Sequence, residues 1–129
     1  MKPKLLLILG ASVLVASSRG AVAQEMPVNY VQVAEIEIDS AHLENYQAAV
    51  KEHIETALRV EPGVLVLYAV SEKDNPTNVR VFEVYASVDA YKAHLEAPHF
   101  KRYKSTTEKM VKSLRLVQAT PIALGAKLR

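Results

Sequence analysis

The chain has 129 residues, 50% of them apolar and 23% charged, the balance of one ordinary globular domain rather than of a disordered or repetitive polymer. It contains no Cys and no Trp, which excludes a disulfide scaffold, a thiolate metal site and a Cys nucleophile. The formal charge is +2, but Lys2, Lys4 and Arg19 all fall within residues 1–23, which hold no acid; the remainder has 13 bases against 14 acids, a net of −1. A basic protein seeking nucleic acid is therefore not expected.

Residues 1–23 read as a secretory signal peptide. Two lysines precede an apolar run from Leu5 to Val15, broken only by Gly10 and Ser12, and Ala21-Val22-Ala23 offers small residues where a signal peptidase cuts. Cleavage before Gln24 leaves residues 24–129 as a single domain, in the periplasm or secreted. The run is too short for a comfortable membrane span, so no membrane attachment is expected after cleavage.

Tyr30 to Ile38 alternates and is rich in β-branched residues, which predicts a strand with Gln32, Ala34, Ile36 and Ile38 on one face. Asp39-Ser40 provides cap chemistry for a helix from about Ala41 to Val60. Leu43, Tyr46, Val50, Ile54, Ala57 and Leu58 mark the apolar face of that helix. His42 and His53 read as solvent-facing, His53 because Lys51, Glu52 and Glu55 surround it. Pro62-Gly63 stops the helix, Pro by breaking the ladder and Gly by accepting unusual backbone angles.

Val64 to Val70 is nearly all apolar, a strand covered on both faces or lying at an oligomer interface. Lys73 to Thr77 carries turn chemistry, and Asn78 to Ala86 returns as the second strand of a hairpin. On that strand Val79, Val81, Glu83 and Tyr85 share one face, and Arg80, Phe82 and Val84 the other. Ser87 caps a short helix, Val88 to Leu95, and Asp89 suits its positive end. After Ala97-Pro98, a helix from about His99 to Ser113 and a last strand from Leu116 to Ala123 complete the order.

Strand, helix, strand, strand, helix pair, strand is the split βαβ order of an α+β ferredoxin-like domain, an antiparallel four-stranded sheet with helices on one face. The other face carries large apolar residues, which a homodimer packed sheet on sheet would cover, as a dimeric α+β barrel.

Three stretches carry a resemblance across about Tyr30 to Ile122. They are Val60-Glu61-Pro62-Gly63-Val64-Leu65, then Phe82-Glu83-Val84-Tyr85 with Asp89-Ala90-Tyr91, then His94-Leu95-Glu96-Ala97-Pro98-His99-Phe100. Together they resemble the antibiotic biosynthesis monooxygenase family, in its quinol monooxygenase branch and periplasmic type. The resemblance implies a pocket between sheet and helices. It implies oxidation of a quinol-like or polyphenolic aromatic by O2 without flavin or metal. Haem-degrading relatives are similar to one another in a catalytic Trp, which this chain lacks. Two further readings stay open: isomerisation of a small phosphorylated dicarbonyl compound, and a non-enzymatic dimer that binds a small ligand.

Cofactor-free oxidation asks the protein to bind an electron-rich hydroxyaromatic, take its proton and stabilise the anion. His94 is the first candidate base, since imidazole titrates near neutrality. Glu83, mid-strand on an apolar face, would orient it; the bland alternative is an ion pair with Arg80, Lys92 or Lys101. His99 follows Pro98 at a helix start, where the dipole disfavours imidazolium and suits a neutral base or a hydrogen-bond donor. Tyr85, Tyr68, Phe82, Phe100 and Tyr103 are candidates to line an aromatic pocket, although such residues are more often core. Lys101-Arg102-Tyr103-Lys104 is a local basic run that reads as a solvated face or an attractor of an acidic ligand. The four histidines are 11, 41 and 5 positions apart, the last pair split by Pro98, and no metal motif or Gly-rich phosphate loop is visible.

Overall fold

The computed structural model describes residues 28–127; the expected signal peptide lies outside them. Four strands and three helices follow in the order β1 (Tyr30–Ile38), α1 (Leu43–Val60), β2 (Val64–Ser71), β3 (Asn78–Tyr85), α2 (Val88–Glu96), α3 (Pro98–Thr107) and β4 (Val111–Ala119), with a 3-10 turn at Ser40–His42 before α1. The strands form one sheet in the order β2-β3-β1-β4, and every neighbouring pair is antiparallel. This is the ferredoxin-like α+β arrangement that the element order predicts.

The pleat sorts side chains by parity. In the β1–β3 register Tyr30 faces Tyr85, Gln32 faces Glu83, Ala34 faces Val81 and Ile36 faces Val79. These pairs point toward the helices, and Ala34, Ile36, Ile38, Val79 and Val81 form the core with Tyr46 and Val50 of α1. A second cluster joins Ala57, Val64, Leu67 and Tyr85 where α1 meets β2. The odd partners, Tyr68 opposite Phe82 among them, face outward. Tyr68 is 60% and Phe82 46% exposed.

Local chemistry sets the boundaries. Asp39 Oδ1 accepts the Ala41 N–H at 3.0 Å, and Ser87 Oγ accepts the Ala90 N–H at 3.1 Å to start α2. The hairpin turn is closed by Asn78 Nδ2 donating to Glu72 Oε2 at 2.7 Å. Pro98 takes the first turn of α3, where its missing N–H costs nothing.

Two expectations are corrected. The last helix ends at Thr107, not Ser113, and the last strand starts at Val111, not Leu116. Thr107 Oγ1 donates back to the Tyr103 carbonyl at 2.8 Å. Met110 then accepts the Asp39 N–H through its carbonyl at 2.9 Å, which delivers Val111 to β1. Val111 and Leu114 are three apart and satisfy a helical face equally well, but pairing along the whole of β1 decides for the strand. Gly63 is also there for a different reason: no glycine among the described residues has positive φ. A Cβ on Gly63 would lie 2.6 Å from the Ala90 Cβ, so glycine allows α2 to sit against the start of β2.

Gly63→Ala should therefore destabilise the fold by about 1–3 kcal/mol through overpacking. A chemical-denaturation midpoint unchanged from the parent would show that α2 can shift freely.

Candidate ligand cavity and histidine cluster

A cavity of about 90 Å³ lies between the inner sheet face and the helices. Its sheet side is built by Gln32, Ala34, Ile36 and Val81 with Glu83, and its helix side by Val50 and His53 of α1, Tyr91 and Leu95 of α2, and Phe100 and Tyr103 of α3. The helices leave the inner face of β4 uncovered, so Leu114 and Leu116 stay 42% and 51% exposed although they point to the helix side. They flank the cavity with Lys104 and form its mouth.

Two polar groups of the lining bear most on its chemistry. Glu83 is held by its neighbours on the sheet: Tyr85 Oη donates to Oε1 at 2.6 Å and Gln32 Nε2 to Oε2 at 3.1 Å. Tyr30 Oη in turn donates to Gln32 Oε1 at 3.2 Å. Burial, and after it the charge of Glu83, push the Tyr85 hydroxyl far above the usual phenol range, so it remains a donor. The expected contact between Glu83 and His94 is not made. Neither is the ion pair with Arg80 or Lys101: Arg80 Nη1 donates to the Val79 carbonyl at 3.3 Å and Lys101 meets Glu96 at 3.0 Å.

The second polar group is His53, which the charged sequence around it hides. It is 7% exposed, not solvent-facing. Its ring stacks on Tyr103 with centroids 4.6 Å apart and planes 15° apart. Its Nδ1 is buried without a hydrogen-bond partner among the described residues, an exception that asks for an explanation in a native site. Burial, reinforced by His94 and then His99, lowers its pKa to about 4, so the ring is neutral at pH 7. Tyr103 is locked in place by a 2.7 Å hydrogen bond between its hydroxyl and that of Tyr46. Burial first, and Tyr46 second, raise the Tyr103 hydroxyl far above the usual range.

His94 and His99 lie behind His53, with ring centroids 5.1 and 5.7 Å from it. Both donate to one oxygen, Glu61 Oε2: His94 Nδ1 at 2.7 Å and His99 Nε2 at 2.6 Å. A carboxylate only accepts, so the proton sits on Nδ1 of His94 and on Nε2 of His99. Glu61, His94 and His99 also form a set of potential metal ligands within 4.8 Å of one another. An ion bonded at roughly 2.1 Å would hold neighbouring ligands about 3.0 Å or more apart. The observed separations are shorter and match charge-assisted hydrogen bonds.

Of the residues singled out in sequence, Glu83, Phe100 and Tyr103 line the cavity. Tyr85 supports it through Glu83. His94 and His99 stand one layer back, and Tyr68 and Phe82 face out on the opposite side of the sheet. His42, expected in solvent, is half-buried in the 3-10 turn. Lys101 and Arg102 form surface ion pairs with Glu96 and Glu52. His53 and Glu61 were missed. The signal for His53 was present: Tyr46, Val50, His53 and Ala57 recur at steps of four, three and four, and all four are buried.

Residues 29–106 match the family model for antibiotic biosynthesis monooxygenase, and the chain belongs to that family. A structure from Bacteroides thetaiotaomicron VPI-5482, provisionally named an antibiotic biosynthesis monooxygenase, is 50% identical with a TM-score of 0.75 over 79% of this chain and 97% of that one. A structure from Lactobacillus acidophilus NCFM, provisionally named a monooxygenase, is 32% identical with a TM-score of 0.67, over 71% of this chain and 47% of that one. A Nitrosomonas europaea structure at 21% identity and TM-score 0.70, over 74% and 92%, shares the fold. No curated protein matches the chain.

The depressed His53 pKa has a consequence for stability. The unfolded chain takes up this proton near pH 6.5 and the folded chain only near 4, so folding is favoured above 6.5 and that contribution is lost as pH falls to 4. The loss is at most about 3 kcal/mol, reduced by the solvent that still reaches the ring. His53→Gln should flatten the fall in denaturation midpoint between pH 7 and 4.5. Parallel curves for parent and variant would refute the assignment.

Proposed function

We propose that the protein is a cofactor-independent monooxygenase that oxidises a quinol-like hydroxyaromatic with O2. The observation that carries this reading is the apolar cavity with a neutral imidazole among its helix residues and a carboxylate among its sheet residues, in a chain of the antibiotic biosynthesis monooxygenase family. Apolar walls and stacked aromatics suit a planar ring. His53, in the form that accepts a proton, takes it from a ring hydroxyl. The electron-rich ring anion then reacts with O2, and the imidazolium beside it is offset by the new negative charge. For a quinol the balance closes without an added reductant. One oxygen atom bonds to a ring carbon, the other leaves as water, and the ring supplies all four electrons on becoming a hydroxyquinone. Glu83 accepts from a second hydroxyl, and Tyr85 and Gln32 hold it in place.

The isomerase alternative wants cations for a phosphate. Lys104 stands at the mouth, while Lys101 and Arg102 form surface ion pairs with Glu96 and Glu52; the predominantly apolar lining favours the monooxygenase.

We further propose that the protein works as an exported homodimer. The outer sheet face carries exposed Leu65, Tyr68, Val70 and Phe82, a patch of the kind a partner covers, and no helix among the described residues is long and apolar enough to cross a membrane. Sedimentation at micromolar concentration should give a dimer that Phe82→Asp dissociates, and a wholly monomeric parent would rule the dimer out.

The catalytic reading is tested by oxygen uptake of residues 24–129 with reduced naphthoquinols, anthrols and dihydroxybenzenes, against autoxidation without protein. Uptake above the control should fall by about a hundredfold or more in His53→Ala and stay unchanged in Lys73→Ala, in the distant hairpin turn. No uptake with any member of the panel would sink it.

A further inference from the structure

We infer that the ligand of this cavity is a hydroxyaromatic bearing an anionic substituent, a carboxylate or a phosphate, and that Lys104 at the mouth selects it. The inference rests on the aromatic reading proposed above and narrows its substrate class.

The cavity is open on one side. The helices leave the inner face of β4 uncovered, and Leu114 and Leu116 are exposed there. Lys104 stands at the same opening. Beyond it the opening continues as a groove between α3 and Val111 at the start of β4. Phe100 and Lys104 line both the cavity and the groove. A ring that enters beside Phe100 therefore keeps its outer end at the opening, beside the lysine.

The two ends of this space carry opposite charge. Glu83 lines the cavity from β3, and the opening lies at β4. β1 runs between those strands, which sets them two strand spacings apart, about 10 Å. An anionic group on the ligand is repelled by Glu83 and drawn to the ammonium of Lys104. A ring hydroxyl has the opposite preference, because each Glu83 oxygen takes one protein donor and has capacity for another. The pair orients a ring with a hydroxyl directed inward and an anion directed outward.

Lys104 is free to play this part. The cations around it are held by acids: Lys101 meets Glu96 at 3.0 Å, Arg102 meets Glu52 at 3.5 Å and Lys112 meets Glu37 at 3.4 Å. Lys104 has no ion-pair partner among the described residues. Glu108, one turn further along, borders the groove but not the cavity. At so exposed a position the attraction is modest, yet it suffices to choose between rings that are otherwise alike.

Calorimetric titration into residues 24–129, under strict exclusion of oxygen, reads binding apart from turnover. Hydroquinone, 2,5-dihydroxybenzoate, its methyl ester and hydroquinone monophosphate share one ring and differ in charge. At least one of the two anions should bind about fivefold more tightly than hydroquinone and the ester, and the tighter of them identifies the group. The preference should shrink as salt is raised. Lys104→Gln should abolish it and leave hydroquinone unchanged, whereas Lys101→Gln should keep it. Equal binding of charged and neutral rings by the parent, or no binding of any, overturns the inference without recourse to a variant. So does a preference that survives Lys104→Gln. Dihydroxyacetone phosphate, an anion without a ring, should bind more weakly than the preferred aromatic anion, and tighter binding of it overturns the aromatic class. The monooxygenase reading fails separately, when aromatic anions bind through Lys104 but none consumes oxygen once air is admitted.

Discussion

One carboxylate oxygen, Glu61 Oε2, ties the two short helices on the helix side of the cavity to the end of α1. Glu61 ends α1, its backbone N–H donating to the Ala57 carbonyl at 2.9 Å, and its Oε2 receives His94 from α2 and His99 from α3. A half-buried carboxylate without a lysine or arginine partner among the described residues needs such donors, because unpaired burial of the charge costs far more than the bonds. The same two bonds dock the short helices. Within α2 the only fully buried side chain is His94, so apolar packing alone holds this helix weakly, and the polar link supplies the position. Gly63, two residues after Glu61, then allows Ala90 of α2 to close against the start of β2.

The consequence reaches His53 through space rather than through a bond. His94 and His99 wall one side of its ring and Tyr103 stacks on it. Burial first, and His94 and His99 after it, disfavour an imidazolium at His53, so its ring stays neutral. Across the cavity the sheet does the opposite with Glu83. In the register Gln32 stands opposite Glu83 and Tyr30 opposite Tyr85, and the four side chains form a hydrogen-bonded ladder that keeps a carboxylate among apolar neighbours without a cation. One end of the inner sheet face is therefore polar and the rest is core.

The architecture was legible because period-two and helical patterns rarely conflict in this chain. Tyr30–Ile38 and Asn78–Tyr85 sorted into faces by parity, and Ser87 capped α2 as expected, whereas Asp39 capped the 3-10 turn ahead of α1 rather than α1 itself. The resemblance carried by the Glu-Pro-Gly, Phe-Glu-Val-Tyr and Pro-His-Phe stretches was right about the family. The site was less legible. Linear charge around His53 concealed its place in the helical stripe, and Glu61 was named only as part of the Glu-Pro-Gly stretch. Tyr68 and Phe82 were chosen for being aromatic, when their parity, opposite to that of Leu67 and Glu83, already turned them outward. His94 was expected against Glu83, but its carboxylate partner comes from the end of α1, 33 residues earlier, a pairing no local pattern reveals.

A neutral imidazole and an anionic carboxylate bordering the same narrow apolar space divide the work in a way that a single histidine could not. Had Glu83 been bonded to His94, as the linear reading suggested, the pair would have spent both functional groups on each other and left the cavity dry and inert. The fold instead assigns Glu61 to hold the outer histidines and leaves Glu83 with capacity to accept and His53 as a neutral ring at the cavity wall. Positioning and ligand contact fall to different carboxylates, one at a helix end and one in mid-strand. That separation lets a weak base stay buried, desolvated and available.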